Sequence, residues 1–240
     1  MKTYRLKETL KKIRSLCTFY VAKENLDFVK TIRLYELGVV LNILPAAGRL
    51  LEIGAGAGWQ AQALEAKGYD VSAIDLPSSN FQENRIWPVT DYDGKKIPFE
   101  DNTFNIIYSS NALEHITHIF EFQKEILRVL KPGGYAFHIL PSSSWRIWTN
   151  ITEILKFWKL PKAHGEQAAN VFFEIYYFSR RWWTCLFGDT GWMVVTQKSS
   201  GLFYTGSLIM GSRLSIEARS KMSYVFGSSC NIFVLRKKSS

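Results

Sequence analysis

Cysteine is scarce in this chain, and no long apolar run occurs in it. The three cysteines, Cys17, Cys185 and Cys230, lie far apart and form no C-x-x-C pair. This pattern argues against a disulfide framework and a zinc site, so we predict a reducing, cytoplasmic location and no metal. No stretch approaches about 18 consecutive apolar residues, and the N-terminal segment lacks the apolar core of a secretory signal. The sequence therefore predicts neither a membrane-spanning helix nor export.

The chain has a net charge of +9, and its excess positive charge is confined to the two ends. Residues 1–14 and 210–240 each carry six Lys or Arg and one Glu, so the residues between them sum to −1. A central domain that is not basic argues against a nucleic-acid partner. The basic ends leave two interpretations open, which are solubilising tails and peripheral contact with an anionic surface such as a membrane.

Residues 1–47 are predicted to form a helical extension. Helical spacing relates Leu6, Leu10, Ile13 and Cys17, with lysines and arginines between them. This basic amphipathic helix is expected either to dock on its own domain or to lie on a membrane surface. A second helix is predicted over residues 26–44, before Pro45.

From residue 49 onward, predicted strands and helices alternate, which is typical of a parallel α/β sheet covered on both faces. Helices are predicted at 59–68 and 117–131. Strands are predicted at 49–53, 70–75, 85–89, 104–110, 135–140, 192–197 and 230–237. We assign residues 48–140 to a Rossmann-like core and residues 192–240 to C-terminal strands that complete the sheet.

Aromatic residues concentrate between these two parts. Residues 141–192 hold six of the eight tryptophans. We predict that residues 141–191 form an aromatic-rich cap that binds the acceptor. Such a surface stacks on sugars, holds apolar acceptors or sits at a membrane interface, and the simpler interpretation is the core of a small cap.

A glycine-rich turn marks the candidate ligand site. In "LEIGAGAGWQ" (51–60), Gly54, Gly56 and Gly58 lie between a predicted strand and a predicted helix. Glycine lets a ligand approach main-chain N–H groups, and the helix N-terminus adds partial positive charge. A dinucleotide fingerprint would need a third glycine at position 59, where Trp59 stands. The turn therefore favours a nucleoside ligand other than a dinucleotide.

Asp75 is the second candidate ligand-binding residue. It ends a predicted strand 21 residues after Gly54, where an acid accepts hydrogen bonds from ribose hydroxyls. The alternative interpretation is a solvated aspartate at a strand end.

Four motifs occur in order and at consistent spacing: "LEIGAGAG", "AIDLP", "IPFEDNTFNIIYSSNALEHI" and "RVLKPGG". Together they resemble the class I S-adenosylmethionine-dependent methyltransferases, in the broad methyltransferase-11/UbiE-like group, over about residues 48–140. The resemblance implies a Rossmann-like, seven-stranded and mostly parallel sheet whose last strand is antiparallel. It also implies S-adenosyl-L-methionine as the cofactor.

The resemblance implies roles for nine residues. It assigns the methionine and ribose part of the cofactor to the three glycines, the ribose to Asp75, the adenine ring to Leu76, and the adenine amino group to an acid after the third strand. That acid is Asp93, with Asp91 as a rival. Glu52 is implied to lie under the glycine turn and to help hold either the amino end of the cofactor or the loop. The residues implied to bind or support the cofactor are Glu52, Gly54, Gly56, Gly58, Asp75, Leu76, Asp93, Ser110 and Asn111.

Methyl transfer from a sulfonium needs alignment, and it needs a general base only when the acceptor is a poor nucleophile. His115, in "ALEHI", follows the fourth predicted strand and is the candidate base. The alternative is that Glu114 and His115 orient the loop. His164, Glu166 and Asn170 in the predicted cap are candidates to orient a polar acceptor.

The predicted function is methyl transfer to a small-molecule, glycan or lipid-linked acceptor. The segment beginning "HGEQAANVFFEIYYFSRRWW" is similar to bacterial methyltransferases that accompany surface-glycan synthesis. One alternative is a nicotinamide-dependent oxidoreductase, which the missing third glycine disfavours. Another is a nucleic-acid methyltransferase, for which neither an "NPPY"-type motif nor a catalytic Pro-Cys pair is present. The last alternative is a non-catalytic binding module with a methyltransferase-like fold.

Overall fold

The fold is described by a computed structural model, which covers residues 26–158, 161–168, 170–206 and 210–238. The predicted amphipathic helix of Leu6, Leu10, Ile13 and Cys17 lies outside these residues. Across the described ranges, no helix combines the length and the apolar character that crossing a bilayer requires.

Seven strands form one sheet in the order β3-β2-β1-β4-β5-β7-β6. Strand β7 runs antiparallel to its neighbours β5 and β6, and the other pairs are parallel. The predicted seven-stranded, mostly parallel sheet with an antiparallel last strand is therefore confirmed. The strands are β1 (Arg49–Ile53), β2 (Asp70–Asp75), β3 (Thr90–Asp91), β4 (Phe104–Ser110), β5 (Leu130–Pro141), β6 (Trp192–Ser199) and β7 (Cys230–Lys237).

Helices cover both faces of the sheet, and the apolar stripe of one of them shows how such a helix packs. In the helix Ile119–Val129, the spacing of Ile119, Phe122, Ile126 and Val129 puts four fully buried side chains on one face. The described helices are α1 (residues 26–41), α2 (Trp59–Glu65), α3 (Ile119–Val129), α4 (Ser143–Phe157), α5 (Val171–Tyr177), α6 (Arg180–Asp189) and α7 (Ile216–Phe226).

Two separate cores lie against the sheet. One joins α3 and α6 to the strands through residues such as Phe122 and Phe187. The other joins α1 and the start of α4 to the opposite face through residues such as Ile32 and Trp145. Helix α1 and the N-terminal end of α4 therefore approach the sheet from the same side.

The predicted strand at 85–89 is wrong, and the third strand is the two-residue β3 that follows it. Pro88 has no amide to donate to a sheet, and the amide of Ile86 donates instead to the Ala57 carbonyl at 2.9 Å. The Trp87 indole donates to Glu65 at 2.8 Å. These bonds hold the segment against α2, so pairing with β2 begins only at Thr90.

Helix and strand ends differ from the predicted ends by a few residues. Helix α2 stops at Glu65 because a Schellman turn closes it: Gly68 N–H donates to Glu65 at 2.8 Å, and Tyr69 N–H donates to Leu64 at 3.3 Å. Gly68 has a φ of +92°, so its predicted capping role is confirmed. Strand β5 begins at Leu130, five residues earlier than predicted, because Leu130 already pairs with Phe104 before the Pro-Gly-Gly turn.

Candidate active site

A cleft opens at the carboxyl ends of β1, β2 and β4, the edge where ligands bind in open α/β sheets. It encloses about 370 Å³. The glycine turn after β1, the end of β2 and the loop after β4 line it, and α1 closes one side. Seven residues predicted from sequence line this cleft: Gly54, Gly56, Asp75, Leu76, Ser110, Asn111 and His115.

The backbone of the glycine turn adopts conformations that exclude side chains. Gly54 has a φ of +73°, and a Cβ built there would lie 2.4 Å from the Cβ of Ala112. The amides of Gly54 and Ala55 donate to the Ile74 carbonyl at 2.9 and 3.1 Å. Gly58 does not line the cleft; it begins α2 and lies against Trp87, 2.8 Å from where its Cβ would be. The turn is therefore fixed to β2 on one side and to the 85–89 segment on the other.

The Asp75 carboxylate lies at the floor of the cleft and is fixed by the main chain. It accepts hydrogen bonds from Gly56 N–H and from Leu76 N–H, both at 2.8 Å. Each oxygen keeps a further lone pair that can accept a bond from a ligand hydroxyl. The acid predicted to bind ribose is thus coupled directly to the glycine turn.

Glu52 lies beneath the turn and does not line the cleft. Its side chain is buried, and this burial raises the pKa of the carboxyl to about 8, opposed by a hydrogen bond with the Ala61 backbone. Its Oε2 atom has no hydrogen-bond partner among the described residues. Of the two roles predicted for Glu52, this position favours support of the loop over contact with the cofactor.

Neither candidate acid for the adenine amino group reaches the cleft lining. Asp93 accepts from the amides of Lys95 and Lys96 at 2.8 and 2.9 Å, and these bonds lower the pKa of its carboxyl. Asp91 pairs with Arg85 at 2.6 Å. Tyr92, between the two acids, does line the cleft. The adenine contact of Asp93 stays a prediction, and Tyr92 is a cleft residue that the sequence reasoning missed.

Arg33 is a second lining residue that the sequence reasoning missed. Its Nη1 donates to Glu36 Oε2 at 2.8 Å and to the Tyr204 hydroxyl at 3.1 Å. The Tyr204 hydroxyl donates in turn to Glu36 at 3.0 Å. An Arg-x-x-Glu pair on a helix is typical of exposed surfaces, so the sequence carries no signal that Arg33 faces a cleft.

A second cavity of about 350 Å³ adjoins the cleft. The two share Val29, Arg33 and Asn111 in their linings. The second cavity is bounded by α4, by residues 161–164 and by residues 204–206, and its lining mixes aromatic and polar side chains. They include Trp145, Thr149, Glu153, Lys162, His164 and Tyr204.

Two histidines meet where the cavities join. His115 lines the cleft, His164 lines the second cavity, and their ring centroids are 4.7 Å apart. Burial lowers the pKa of His115, and burial together with the neighbouring His115 lowers the pKa of His164 to about 3. Burial raises the pKa of Glu114, the residue before His115, to about 8. At neutral pH the junction therefore holds neutral imidazoles beside a protonated carboxyl.

Buried Glu174 of α5 holds His164 in place. Its Oε1 accepts from the amides of His164 and Gly165 at 2.5 and 2.6 Å, and its Oε2 lies 3.0 Å from Arg146 Nε. The other predicted acceptor residues do not line either cavity. Asn170 caps α5 by accepting from the Phe172 and Phe173 amides. Only His164 of the three is therefore in a position to contact an acceptor.

Known proteins match this chain over most of its length. A family model described as "Methyltransferase domain" matches residues 24–197. The chain belongs to this methyltransferase domain family. The resemblance to class I S-adenosylmethionine-dependent methyltransferases is thereby confirmed, and S-adenosyl-L-methionine is the expected cofactor. The residues fit that cofactor, since Gly54 and Gly56 line the cleft without side chains and Asp75 presents a carboxylate to it.

Two curated relatives illustrate the range of this methyltransferase family. The chain is 31% identical over 138 residues to a ubiquinone/menaquinone biosynthesis C-methyltransferase of Chromobacterium violaceum, covering 52% of this chain and 55% of that one. It is 30% identical over 130 residues to the 2-methyl-6-phytyl-1,4-hydroquinone methyltransferase of Synechocystis, covering 50% of this chain and 39% of the relative. The chain therefore spans about half the length of these relatives or less.

A solved methyltransferase structure shares the fold. The S-adenosylmethionine-dependent methyltransferase of Methanosarcina mazei superposes with a TM-score of 0.57, covering 84% of this chain and 98% of that one. Only 16% of the aligned residues are identical, so this likeness shows the Rossmann-like methyltransferase fold alone.

Proposed function

We propose that this methyltransferase-family chain binds S-adenosylmethionine in the cleft and transfers its methyl group to a small polar acceptor in the second cavity. The observation that carries the proposal is the shared boundary of the two cavities at Arg33 and Asn111, beside His115 and His164. A cofactor whose methionine end lies at that boundary presents its methyl group to the second cavity.

The cofactor would be held along the cleft by the residues that line it. Asp75 would accept hydrogen bonds from the ribose, Leu76 would pack on the adenine, and Ser110 and Asn111 would face the methionine end. Arg33 is the cation on that side of the cleft, so we assign it to the cofactor carboxylate. Asp93 would reach the adenine amino group only if its loop turned toward the cleft.

The second cavity favours a polar acceptor of small size. Glu153, Lys162 and Thr149 offer hydrogen bonds to several groups at once, and Trp145 offers an aromatic face on which a ring stacks. The proposal covers a free small molecule and the end unit of a glycan or of a lipid-linked sugar, since each presents a group of this size.

His115 is proposed as the base for an acceptor that carries a hydroxyl group. Its neutral imidazole would accept the hydroxyl proton while the oxygen lone pair forms the new bond to the methyl carbon. The carbon–sulfur bond breaks, and its electron pair stays on sulfur to give S-adenosylhomocysteine. Alignment of the reactants supplies about 7–11 kcal/mol of the barrier reduction in such reactions.

Calorimetric titration with S-adenosylhomocysteine tests the cofactor site. The wild type is expected to bind with micromolar affinity, and Asp75→Ala to lose about 1.5 kcal/mol or more because bonds to a charged acceptor are lost. Asp75→Asn removes the charge but keeps a side-chain oxygen that can accept from Gly56 N–H, so it separates the effect of charge from the effect of this contact. Asp70→Ala is the matched control, since Asp70 lies exposed at the other end of β2. A folded wild type that binds no S-adenosylhomocysteine would sink the proposal, and nicotinamide cofactors would be titrated next.

Contact with a membrane surface is a separate part of the proposal. An apolar stripe on α4 is exposed, with Trp158 at its end 88% accessible, and Phe172 and Phe173 of α5 are also exposed. These exposed aromatic residues and the positive charge of the two ends of the sequence support peripheral binding. Co-sedimentation with vesicles containing anionic lipid tests this contact. More of the wild type than of Trp158→Ser should sediment with the vesicles. The proposal is contradicted if the wild type sediments to the same extent with and without vesicles.

A further inference from the structure

Three metal-ligating side chains face one another where the cleft meets the second cavity. They are Glu114, His115 and His164, whose ligand atoms all lie within 4.8 Å of one another. The His115 Nε2 atom lies 3.9 Å from Glu114 Oε1. Two loops distant in sequence contribute them, one after β4 and one before α5. The fold therefore builds this cluster from separate segments.

Glu114 is the side chain that requires an explanation. It is fully buried, and neither carboxylate oxygen has a hydrogen-bond partner among the described residues. A buried polar atom without a partner is costly, so native proteins almost always supply one. The neighbouring neutral imidazoles each keep a lone pair as well. The 3.9 Å separation from His115 is too long for a hydrogen bond, so a proton on Glu114 does not connect this pair.

We propose that Glu114, His115 and His164 together bind a divalent first-row transition-metal ion, such as Zn²⁺ or Co²⁺. Two imidazole nitrogens and one carboxylate oxygen form a donor set that suits these ions. Ca²⁺ and Mg²⁺ prefer oxygen ligands alone. Ligand atoms around a tetrahedral ion with bonds near 2.0–2.1 Å lie about 3.3 Å apart. The site therefore closes when the present separations shorten by up to about 1.5 Å, a movement open to the two exposed histidine side chains.

The main chain around the cluster is already held together. Glu166 N–H donates to the Glu114 carbonyl at 2.9 Å, and Gln167 donates to the Ile116 carbonyl at 2.6 Å. On the far side, Glu174 accepts from His164 N–H at 2.5 Å. These bonds fix both ligand-bearing segments before any ion binds. Binding then costs side-chain adjustment and the release of the Glu114 proton to water.

The position of the ion gives it a role in acceptor activation, a step that rests on the proposed function. Three protein ligands leave a fourth position open, as catalytic sites do, and the adjoining second cavity gives an acceptor access to it. A hydroxyl oxygen bound there loses its proton to bulk water, forms the bond to the methyl carbon, and the carbon–sulfur bond breaks onto sulfur. In the metal-loaded protein His115 is a ligand, and the ion replaces it as the activating group.

Titration of the chelator-treated, untagged full chain with Co²⁺ tests the site by visible absorption, without any acceptor. We expect one Co²⁺ per chain with the intense bands of a four-coordinate ion, displaced by Zn²⁺. His164→Ala and Glu114→Gln are each expected to weaken binding by at least about tenfold, because removal of a ligand exceeds the 10–100-fold effect of outer-shell changes. His118→Ala is the matched control and should bind as the wild type does.

The proposal is overturned if Co²⁺ does not bind, or if binding persists unchanged in His164→Ala and Glu114→Gln, or if His118→Ala abolishes it equally. Circular dichroism checks that each variant is folded. If Glu114→Gln does not fold, the substitution His164→Gln decides the outcome. S-adenosylhomocysteine titration of the same sample separates the two proposals, because intact cofactor binding without Co²⁺ binding overturns the metal site alone.

Discussion

Gly54 shows how one missing side chain shapes the cleft. Gly54→Ala should both destabilise the fold by about 1–3 kcal/mol and weaken S-adenosylhomocysteine binding, because its Cβ would overlap Ala112 at 2.4 Å. Gly133→Ala is the matched control, since Gly133 also has a positive φ, +77°, but has open space around it. Denaturant unfolding and calorimetry measure the two effects. Equal destabilisation in both variants would show that backbone conformation, not the Ala112 contact, determines the cost.

Sequence patterns identified cleft residues that directly follow strands of the sheet but not those that arrive from elsewhere in the chain. Gly54, Asp75 and Asn111 follow strands of the sheet, so their spacing along the chain already indicated one edge. Arg33 comes from a helix, and the network through Glu36 and Tyr204 that orients it depends on contacts 168 and 171 residues apart. No local pattern reports such a contact. Tyr92 was missed because the resemblance assigns the adenine contact at this position to an acid, which directs attention to Asp91 and Asp93.

At the scale of elements, the buried pair of Arg146 and Glu174 joins α4 to α5. Glu174→Ala should lower the free energy of unfolding by about 3–5 kcal/mol, because it leaves a buried guanidinium and two amides without their acceptor. The exposed pair of Glu217 and Lys221 on α7 is the control, and Glu217→Ala should change stability by less than about 1 kcal/mol. Urea unfolding measures both. Similar losses in the two variants would contradict the structural role of Glu174.

Element positions followed from periodicity wherever one face of an element is buried. Helix α3 has four buried residues at helical spacing, and strand β4 is almost wholly buried, so both were predictable. Strand β3 has only two residues, both exposed, and carries no such signal. The sequence predicts no element between β6 and β7, where α7 lies, because the buried residue of this helix is an arginine. Arg219 donates to the Phe203 and Gly211 carbonyls, a pattern that hydropathy does not indicate.

For the molecule as a whole, buried titratable groups predict how stability varies with pH. Glu52 and Glu114 have pKa values raised from 4.5 to about 8 in the fold, so the stability they contribute is lost as pH rises between those values. His138 and His164 have pKa values lowered from 6.5 to about 3, which favours the fold increasingly as pH rises to 6.5. The carboxyl and histidine effects oppose each other from pH 4.5 to 6.5. Above pH 6.5 only the effect of the two carboxyl groups continues.

The free energy of unfolding should therefore fall between pH 6.5 and 8, with each carboxyl contributing up to about 1.4 kcal/mol per pH unit. Urea unfolding in the presence of a chelator measures the slope. Glu52→Gln should make it shallower, because a neutral amide does not titrate. Exposed Glu121 supplies the control, and Glu121→Gln should keep the wild-type slope. A slope that Glu52→Gln leaves unchanged would remove Glu52 as its cause.

The position of β7 sets an order of events during protein synthesis. Strand β7 follows β6 in the chain but lies between β5 and β6 in the sheet. When β6 leaves the ribosome, β7, its one neighbour among the described strands, is still untranslated. At about 5–20 residues per second, β6 waits several seconds for it. During that interval the nascent chain carries an unpaired β6 and an open edge on β5. The half of the sheet from β3 to β5 can form early, whereas the other half closes only after translation has passed Lys237.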